Sequence, residues 1–315
     1  MNYAIASDIG ATNLRVGLVD TKGVLEQKQE YPTPQNDPNE VISLLYKAIE
    51  RLDFNGKNIA GIGLGVGGLV NFEQGIVEYT PNFSFNNINL KDILTKRFKM
   101  PVYVDNDANA AALGEKIYGA GKGTKNLVCL TLGTGIGGGI IINDSLYRGT
   151  TSAAGEIGHM TIQTGGPLCG CGNDGDLEAL AGGRALDKEA REVAQKHKDS
   201  LIFRLAEGKI ERVNGALVTK AALQGDELSN ELLKEHAKLL AVGLANIVNI
   251  LDPDIIVLTG GMAEAGNLLL QPAKDILKKR VFADSTRVPK VVYGALGPDA
   301  GILGAAALVF EQSVK

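Results

Sequence analysis

Residues able to hold a metal, an anion or a proton fall in a few short stretches of this sequence. GHMTIQTGGPLCGCGNDGDLE, residues 158–178, holds one of only three histidines and two of only three cysteines. His159 precedes the pair Cys169 and Cys171, and imidazole with thiolates is the usual ligand set of a closed, tetrahedral zinc site. Where a fourth ligand could fall the residue is Asp176. A carboxylate also binds zinc, but as a harder donor than thiolate. The run Asn173-Asp174-Gly175-Asp176 is equally the composition of a tight turn, so the residues alone leave both readings open. A second stretch, VDNDANAAALGE, carries Asn106 and Asp107. Asp107 can accept a proton from a hydroxyl or simply cap a helix.

Two longer stretches share one plan. YAIASDIGATNLRVGLVD, residues 3–20, and LVCLTLGTGIGGGIIIND, residues 127–144, each read as an apolar strand, a turn with Gly and Thr, a second apolar strand and an Asp. Turns of this kind let backbone N–H groups converge on an anion. Their repetition predicts a duplicated domain with a phosphate-binding hairpin opening each half. Two matches to G-x-G-x-x-G, GLGVGG at 63–68 and GTGIGG at 133–138, run on into strand-like sequence. A dinucleotide fingerprint must lead into a helix, so both are rejected.

The elements that must carry these residues follow from periodicity. Helices are expected over 38–52, from Asp107 to 119, and over 226–251, where Leu233, Ala237, Leu240, Leu244, Ile247 and Leu251 recur at helical spacing. A further helix spans Leu268 to Leu277, and the Ala- and Gly-rich tail PDAGILGAAALVFEQ forms a last one. Together with the helix after Asp107, this tail is read as a pair of helices crossing at a hinge between the halves. Strands are expected at 58–66 and 254–261, and the alternation of strands and helices makes the chain α/β. Cys129, inside LVCLTL, reads as a small buried hydrophobe. His197 and His236 lie in polar helical stretches and receive no role.

Length and charge narrow the function. The 315 residues suffice for two domains, and the net charge of −4 without a basic block leaves no footprint for nucleic acid or an anionic membrane. No apolar run approaches a membrane span, the N-terminus lacks a signal-peptide pattern, and the three cysteines suit a reducing cytoplasm.

DIGATNLRVGLVD, VDNDANAAALGE, LGTGIGGGI, AGEIGHM and CGCGNDGDLE, in this order, resemble the ROK family over essentially the whole chain. That family groups sugar kinases with sugar-responsive repressors in the wider hexokinase, actin and Hsp70 class. The resemblance implies two duplicated actin-like (ribonuclease H-like) α/β domains around a central cleft, here residues 1–118 with 299–315, and residues 119–298. It places Asp8 near a magnesium ion and Gly10, Thr12 and Asn13 around the phosphates of ATP. Gly133, Thr134 and Gly135 resemble the family's second phosphate loop, and Gly260 and Gly261 fall where the family holds the adenosine. By the same resemblance Asn106, Asp107, Glu156, His159 and Glu178 are expected to bind the sugar, with Asp107 as catalytic base. The resemblance implies a structural zinc on His159, Cys169 and Cys171, with Asp176 standing as the fourth ligand where the family has a cysteine. Gly67 stands where the family commonly has proline, which suggests extra backbone freedom beside the sugar.

The implied activity is ATP- and Mg²⁺-dependent phosphorylation of a hexose at its 6-hydroxyl, with glucose as the first expectation. N-acetylmannosamine or fructose is the rival substrate, and a sugar-sensing repressor the rival class. Family repressors carry an additional helix-turn-helix domain, whereas this chain opens in the first phosphate loop. The partners implied are a hexose, ATP and further copies of the chain, as a homodimer or homotetramer.

Overall fold

The computed structural model describes residues 2–81, 83, 85–282 and 288–313. By density of contacts the chain forms two units. The first comprises Met1–Cys129, Gly139–Gly155 and Gly294–Lys315, and the second Leu130–Gly138 and Glu156–Tyr293. The first stretch of chain runs β1 Asn2–Ile9, β2 Asn13–Asp20, β3 Leu25–Pro32, α1 Pro38–Glu50, β4 Asn58–Val66, β5 Leu69–Asn71, β6 Ile76–Tyr79, β7 Asn86–Asn89, α2 Leu90–Phe98, β8 Val102–Asn106 and α3 Asp107–Ile117. It continues with β9 Leu127–Leu132, β10 Ile136–Ile142, β11 Ser145–Leu146, α4 Leu177–Ala181, α5 Gly183–Lys196, α6 Leu201–Leu205 and α7 Gly215–Ala222. The remainder is α8 Glu227–Leu251, β12 Ile255–Thr259, α9 Asn267–Arg280, β13 Lys290–Tyr293 and α10 Ala300–Ser313.

The first unit is built on a five-stranded sheet in the order β3-β2-β1-β4-β8. β1 and β2 form the expected antiparallel hairpin, while β4 pairs parallel with β1 and with β8. Side chains alternate across a strand, and β1 shows it directly. Ile5 and Ile9 join Val41, Leu45 and Ile49 of α1 and Leu90 and Leu94 of α2 on one face. Ala4 and Ala6 meet Ile302, Ala305 and Val309 of α10 on the other.

Small residues make that second face close. A Cβ on Gly63 of β4 would lie 1.9 Å from the Ala305 carbonyl oxygen, and one on Gly304 of α10 would lie 1.7 Å from that of Ala110 in α3. The two Ala- and Gly-rich helices expected to cross at a hinge are thus packed on each other inside the first unit. The chain passes between the units after residues 129, 138, 155 and 293 instead.

A second five-stranded sheet has the order β11-β10-β9-β12-β13, with β12 and β13 parallel. In the second unit α8 starts where the Asp226 side chain accepts the Ser229 amide, and it buries Leu233, Ala237, Leu240, Leu244 and Ile247 as its periodicity predicts. Leu251 is only half buried. His236, in a stretch that reads as polar, falls on the inward face and is fully buried. Its Nδ1 lies 3.2 Å from the Leu232 carbonyl oxygen and 3.6 Å from Glu189 Oε2, and burial lowers its pKa. Neither G-x-G-x-x-G match opens a helix: GLGVGG passes from β4 to β5 and GTGIGG into β10. Among the described residues no helix is long and apolar enough to cross a membrane.

Candidate active site and metal cluster

The first unit gathers two carboxylates. Asp8 lies at the end of β1, where the hairpin register sets it opposite Arg15. Arg15 Nη1 is 3.3 Å from Asp8 Oδ2. Gly301 in α10 leaves room for this carboxyl group, since a Cβ there would lie 2.7 Å from Asp8 Cγ. The pKa of Asp8 is pushed up to about 6, first by burial and then by the charge of Asp107, with Arg15 opposing. Asp107, in the first turn of α3, is also raised by burial, against the amide of Ala108, which donates to its Oδ1 at 2.9 Å. An acid held near neutrality beside a second half-buried acid is an arrangement that a divalent cation relieves and that a proton acceptor can exploit.

The capping role belongs to Asn106 rather than Asp107. Asn106 Oδ1 accepts the amides of Ala108 at 2.8 Å and Asn109 at 3.1 Å, and its Nδ2 donates to the Gly68 carbonyl at 3.0 Å. Asp107 is therefore left with an oxygen not needed by the helix. Gly67 borders it: a Cβ there would stand 3.3 Å from Asp107 Oδ2. The Gly67 amide donates to the Ile9 carbonyl at 3.0 Å. Proline could not make that bond, so Gly67 is pinned rather than free. Gly10 and Asn13 close the first hairpin turn, through the Gly10 amide and the Asn13 carbonyl at 3.0 Å, and Thr12 is exposed on it.

The second unit carries the other loop. The Gly133 amide donates to the Gly135 carbonyl, and the amides of Gly183 and Arg184 at the start of α5 donate to the carbonyls of Gly133 and Thr134. A cavity of about 510 Å³ opens here, lined by Gly133, Thr134, Gly183, Asp187, Gly261 and Met262 among others. Gly260 does not line it but makes its turn, at a φ of +90° where a Cβ would strike the Leu132 carbonyl oxygen. Glu178, in α4, is held against the loop: its Oε2 accepts the Ile136 amide at 2.9 Å, and Gly135 must lack a Cβ to admit it.

In the same unit the ligand atoms of His159, Cys169, Cys171 and Asp176 all lie within 4.8 Å of one another. Cys169 Sγ is 3.5 Å from His159 Nδ1, Cys171 Sγ is 3.1 Å from Asp176 Oδ2, and His159 Nδ1 is 3.5 Å from that same oxygen. Asp176 is fully buried. It precedes α4 without capping it, and accepts the Thr161 hydroxyl at 3.1 Å. Its pKa is lowered: burial opposes ionisation, but bonds from Cys171, Thr161 and Cys169 and the proximity of His159 prevail. A buried carboxylate turned toward two thiols and an imidazole fits a divalent metal better than it fits a turn. The Cys169 thiol, pushed up to about 11 chiefly by burial, is a group that metal binding would deprotonate. His159 Nδ1 faces the cluster while Nε2 lies 4.0 Å from Glu156 Oε2, so one ring serves both groups.

Sequence reasoning missed Arg15, Gly301 and a buried pair of Asp105 with Arg148. Arg15 was within reach, because the hairpin register alone sets it opposite Asp8. The other two depend on contacts between distant segments.

A glycine-threonine hairpin loop in each unit, with the half-buried carboxylates Asp8 and Asp107 beside the first, defines a phosphotransferase of the actin-like α/β class. The chain belongs to the ROK family, whose profile matches residues 4–312. It is 36% identical over 314 residues to a glucokinase of Streptomyces coelicolor, covering 99% of this chain and 98% of that one. It is 31% identical to the xylose repressor of Bacillus subtilis, covering 98% of this chain and 77% of the repressor. Its fold matches the crystal structure of a ROK family glucokinase from Streptomyces griseus in complex with glucose and AMPPNP. That match has a TM-score of 0.89 and 34% identity, and covers 98% of this chain and 99% of that one.

Proposed function

We propose that the chain transfers the terminal phosphoryl group of ATP to the 6-hydroxyl of glucose. The observation that carries this reading is Asp107, a half-buried carboxylate whose capping duty is taken over by Asn106. In the forward step the sugar O6 forms a bond to the γ-phosphorus as the bond to the β,γ-bridging oxygen breaks, and the O6 proton passes to Asp107. Arg15 steadies Asp8, which would stand near a magnesium ion that offsets phosphate charge. The amides of Gly10 and Gly133 close their own turns, and the rest of each loop, at Thr12 and Asn13 and at Thr134 and Gly135, would face the phosphates. The cavity at Gly261 is large enough for a nucleoside.

Asn106, Glu156, His159 and Glu178 would meet sugar hydroxyls. His159, Cys169, Cys171 and Asp176 would hold a zinc ion whose contribution is structural, fixing the glycine-rich segment between His159 and Glu178. The repressor reading is disfavoured because a sensor has no need of Asp107 or of two phosphate loops. Self-association, as a homodimer or homotetramer, belongs to the same proposal. An ADP-release assay across glucose, mannose, fructose and N-acetylmannosamine tests the assignment. ADP release driven by another hexose in preference to glucose would replace the substrate, and none with any hexose would remove the kinase.

A further inference from the structure

Asp105, which directly precedes the pair Asn106 and Asp107, is 1% exposed and its carboxylate is held from several sides. Oδ1 accepts the Asn106 amide at 2.8 Å and the Asn109 side chain at 3.0 Å. Oδ2 accepts Arg148 Nε at 2.8 Å, with Nη2 at 2.7 Å from the same oxygen. The guanidinium carbon also lies over the Phe72 ring, 3.6 Å from its centre. Phe72 belongs to the segment that starts at Gly67 and Gly68, and the Phe72 amide lies 3.4 Å from Ser152 Oγ, in the same loop as Arg148. At its other end this segment accepts Asn106 Nδ2 on the Gly68 carbonyl and sets Gly67 against Asp107. The result is a closed ring of contacts within the first unit, from Arg148 to Asp105, through Asn106 to Gly68, along 68–72, and from Phe72 back to Arg148.

A buried pair of this kind is a poor source of net stability, since desolvation offsets attraction. Its geometry fits a positioning device instead. The geometry points to Arg148 as a residue that positions the sugar site: by gripping Asp105 and Phe72 together it fixes the segment 67–72 over Asn106 and Asp107. It touches neither substrate nor reacting atoms. Arginine is required because one planar group must meet a carboxylate at its edge and a ring on its face. The role of Arg148 rests on the hexose kinase reading for the identity of the sugar, and on the contacts alone for the ring.

The test compares Arg148→Lys and Phe72→Leu with the wild type. Lysine keeps the charge opposite Asp105 but loses the fork and the stacking, whereas Phe72→Leu leaves the ion pair whole. Both are expected to fold and to raise the KM and calorimetric Kd for glucose roughly tenfold or more, with the KM for ATP within about twofold. Together they should be less than additive, since both open the same ring. Glucose affinity within twofold of wild type in both single variants would overturn the role. So would an equal rise in the KM values for ATP and glucose, the sign of general loosening. If the wild type binds glucose but does not turn it over, the kinase reading falls, while the affinity comparison still decides the role of Arg148.

Discussion

Replacing Asp8 by asparagine should make the metal-free chain more stable while disabling it. In the folded chain the Asp8 carboxyl titrates at about 6 against an ordinary 3.8. A raised carboxyl pKa means that folding favours the protonated form. Its stabilising contribution is complete below pH 3.8, and is lost as pH rises through about 6. Above that, ionised Asp8 costs the fold about 3 kcal/mol, since each tenfold change in proton affinity is worth about 1.4 kcal/mol. The side chain is 15% exposed, so solvent screening does not erase the effect, and the figure holds to order of magnitude. Asparagine has the shape of the protonated acid and no charge to bury. In magnesium-free buffer at pH 8, Asp8→Asn should therefore raise the Tm by several degrees. At pH 4.5 the two melts should nearly coincide. Calorimetry at both pH values, without chelators that could strip a metal held at His159, Cys169, Cys171 and Asp176, reads this directly. Magnesium with ATP should stabilise the wild type far more than the variant, because the cation supplies the missing positive charge. A variant that melts at or below the wild-type temperature at pH 8 would refute the reasoning, and would mean that the Arg15 pair outweighs burial.

Metal analysis of the wild type should find close to one zinc per chain. Asp176→Ala should lower that content and raise the KM for sugar, and Asp176→Cys should bind zinc more tightly through a softer donor. Unchanged zinc content in Asp176→Ala would leave Asp176 as a turn residue. Gly67→Pro removes the amide that donates to Ile9 and presses on Asp107. It should lower stability by about 1 kcal/mol, the usual worth of one hydrogen bond, and raise the KM for sugar. Chemical denaturation and steady-state kinetics check the two effects separately, and an unchanged midpoint would show that the bond to Ile9 carries no weight.

Much of the first unit was legible because local rules decide it. The strand at 58–66 and the strand-to-helix switch at 106–107 fall where the apolar pattern places them, since alternation and capping act over a few residues. The paired hairpins were visible as a repeat of equal length. What escaped depends on tertiary contact. Asn106 and Asp107 are both good caps by type, and only the backbone direction at the end of β8 decides that Asn106 takes the role. His236 looks polar because its neighbours Glu235 and Lys238 face solvent, while its own position faces inward. The tail helix and α3 share a composition suited to close packing, but composition does not say what each packs against. Arg148 and Asp105 are 43 residues apart, beyond any local pattern. Asp176 could be read as ligand or turn until its burial was known.

The central claim, that Asp107 is the base of an ATP-dependent hexose kinase, is tested most directly by coupled ADP release from wild type and Asp107→Asn with glucose, ATP and magnesium. The wild type should release one ADP for each glucose 6-phosphate formed. The variant should bind ATP as before, with kcat lowered roughly 10²-fold or more, the scale of a lost general base. Turnover of Asp107→Asn near the wild-type rate, or ADP release that does not depend on hexose, would contradict it.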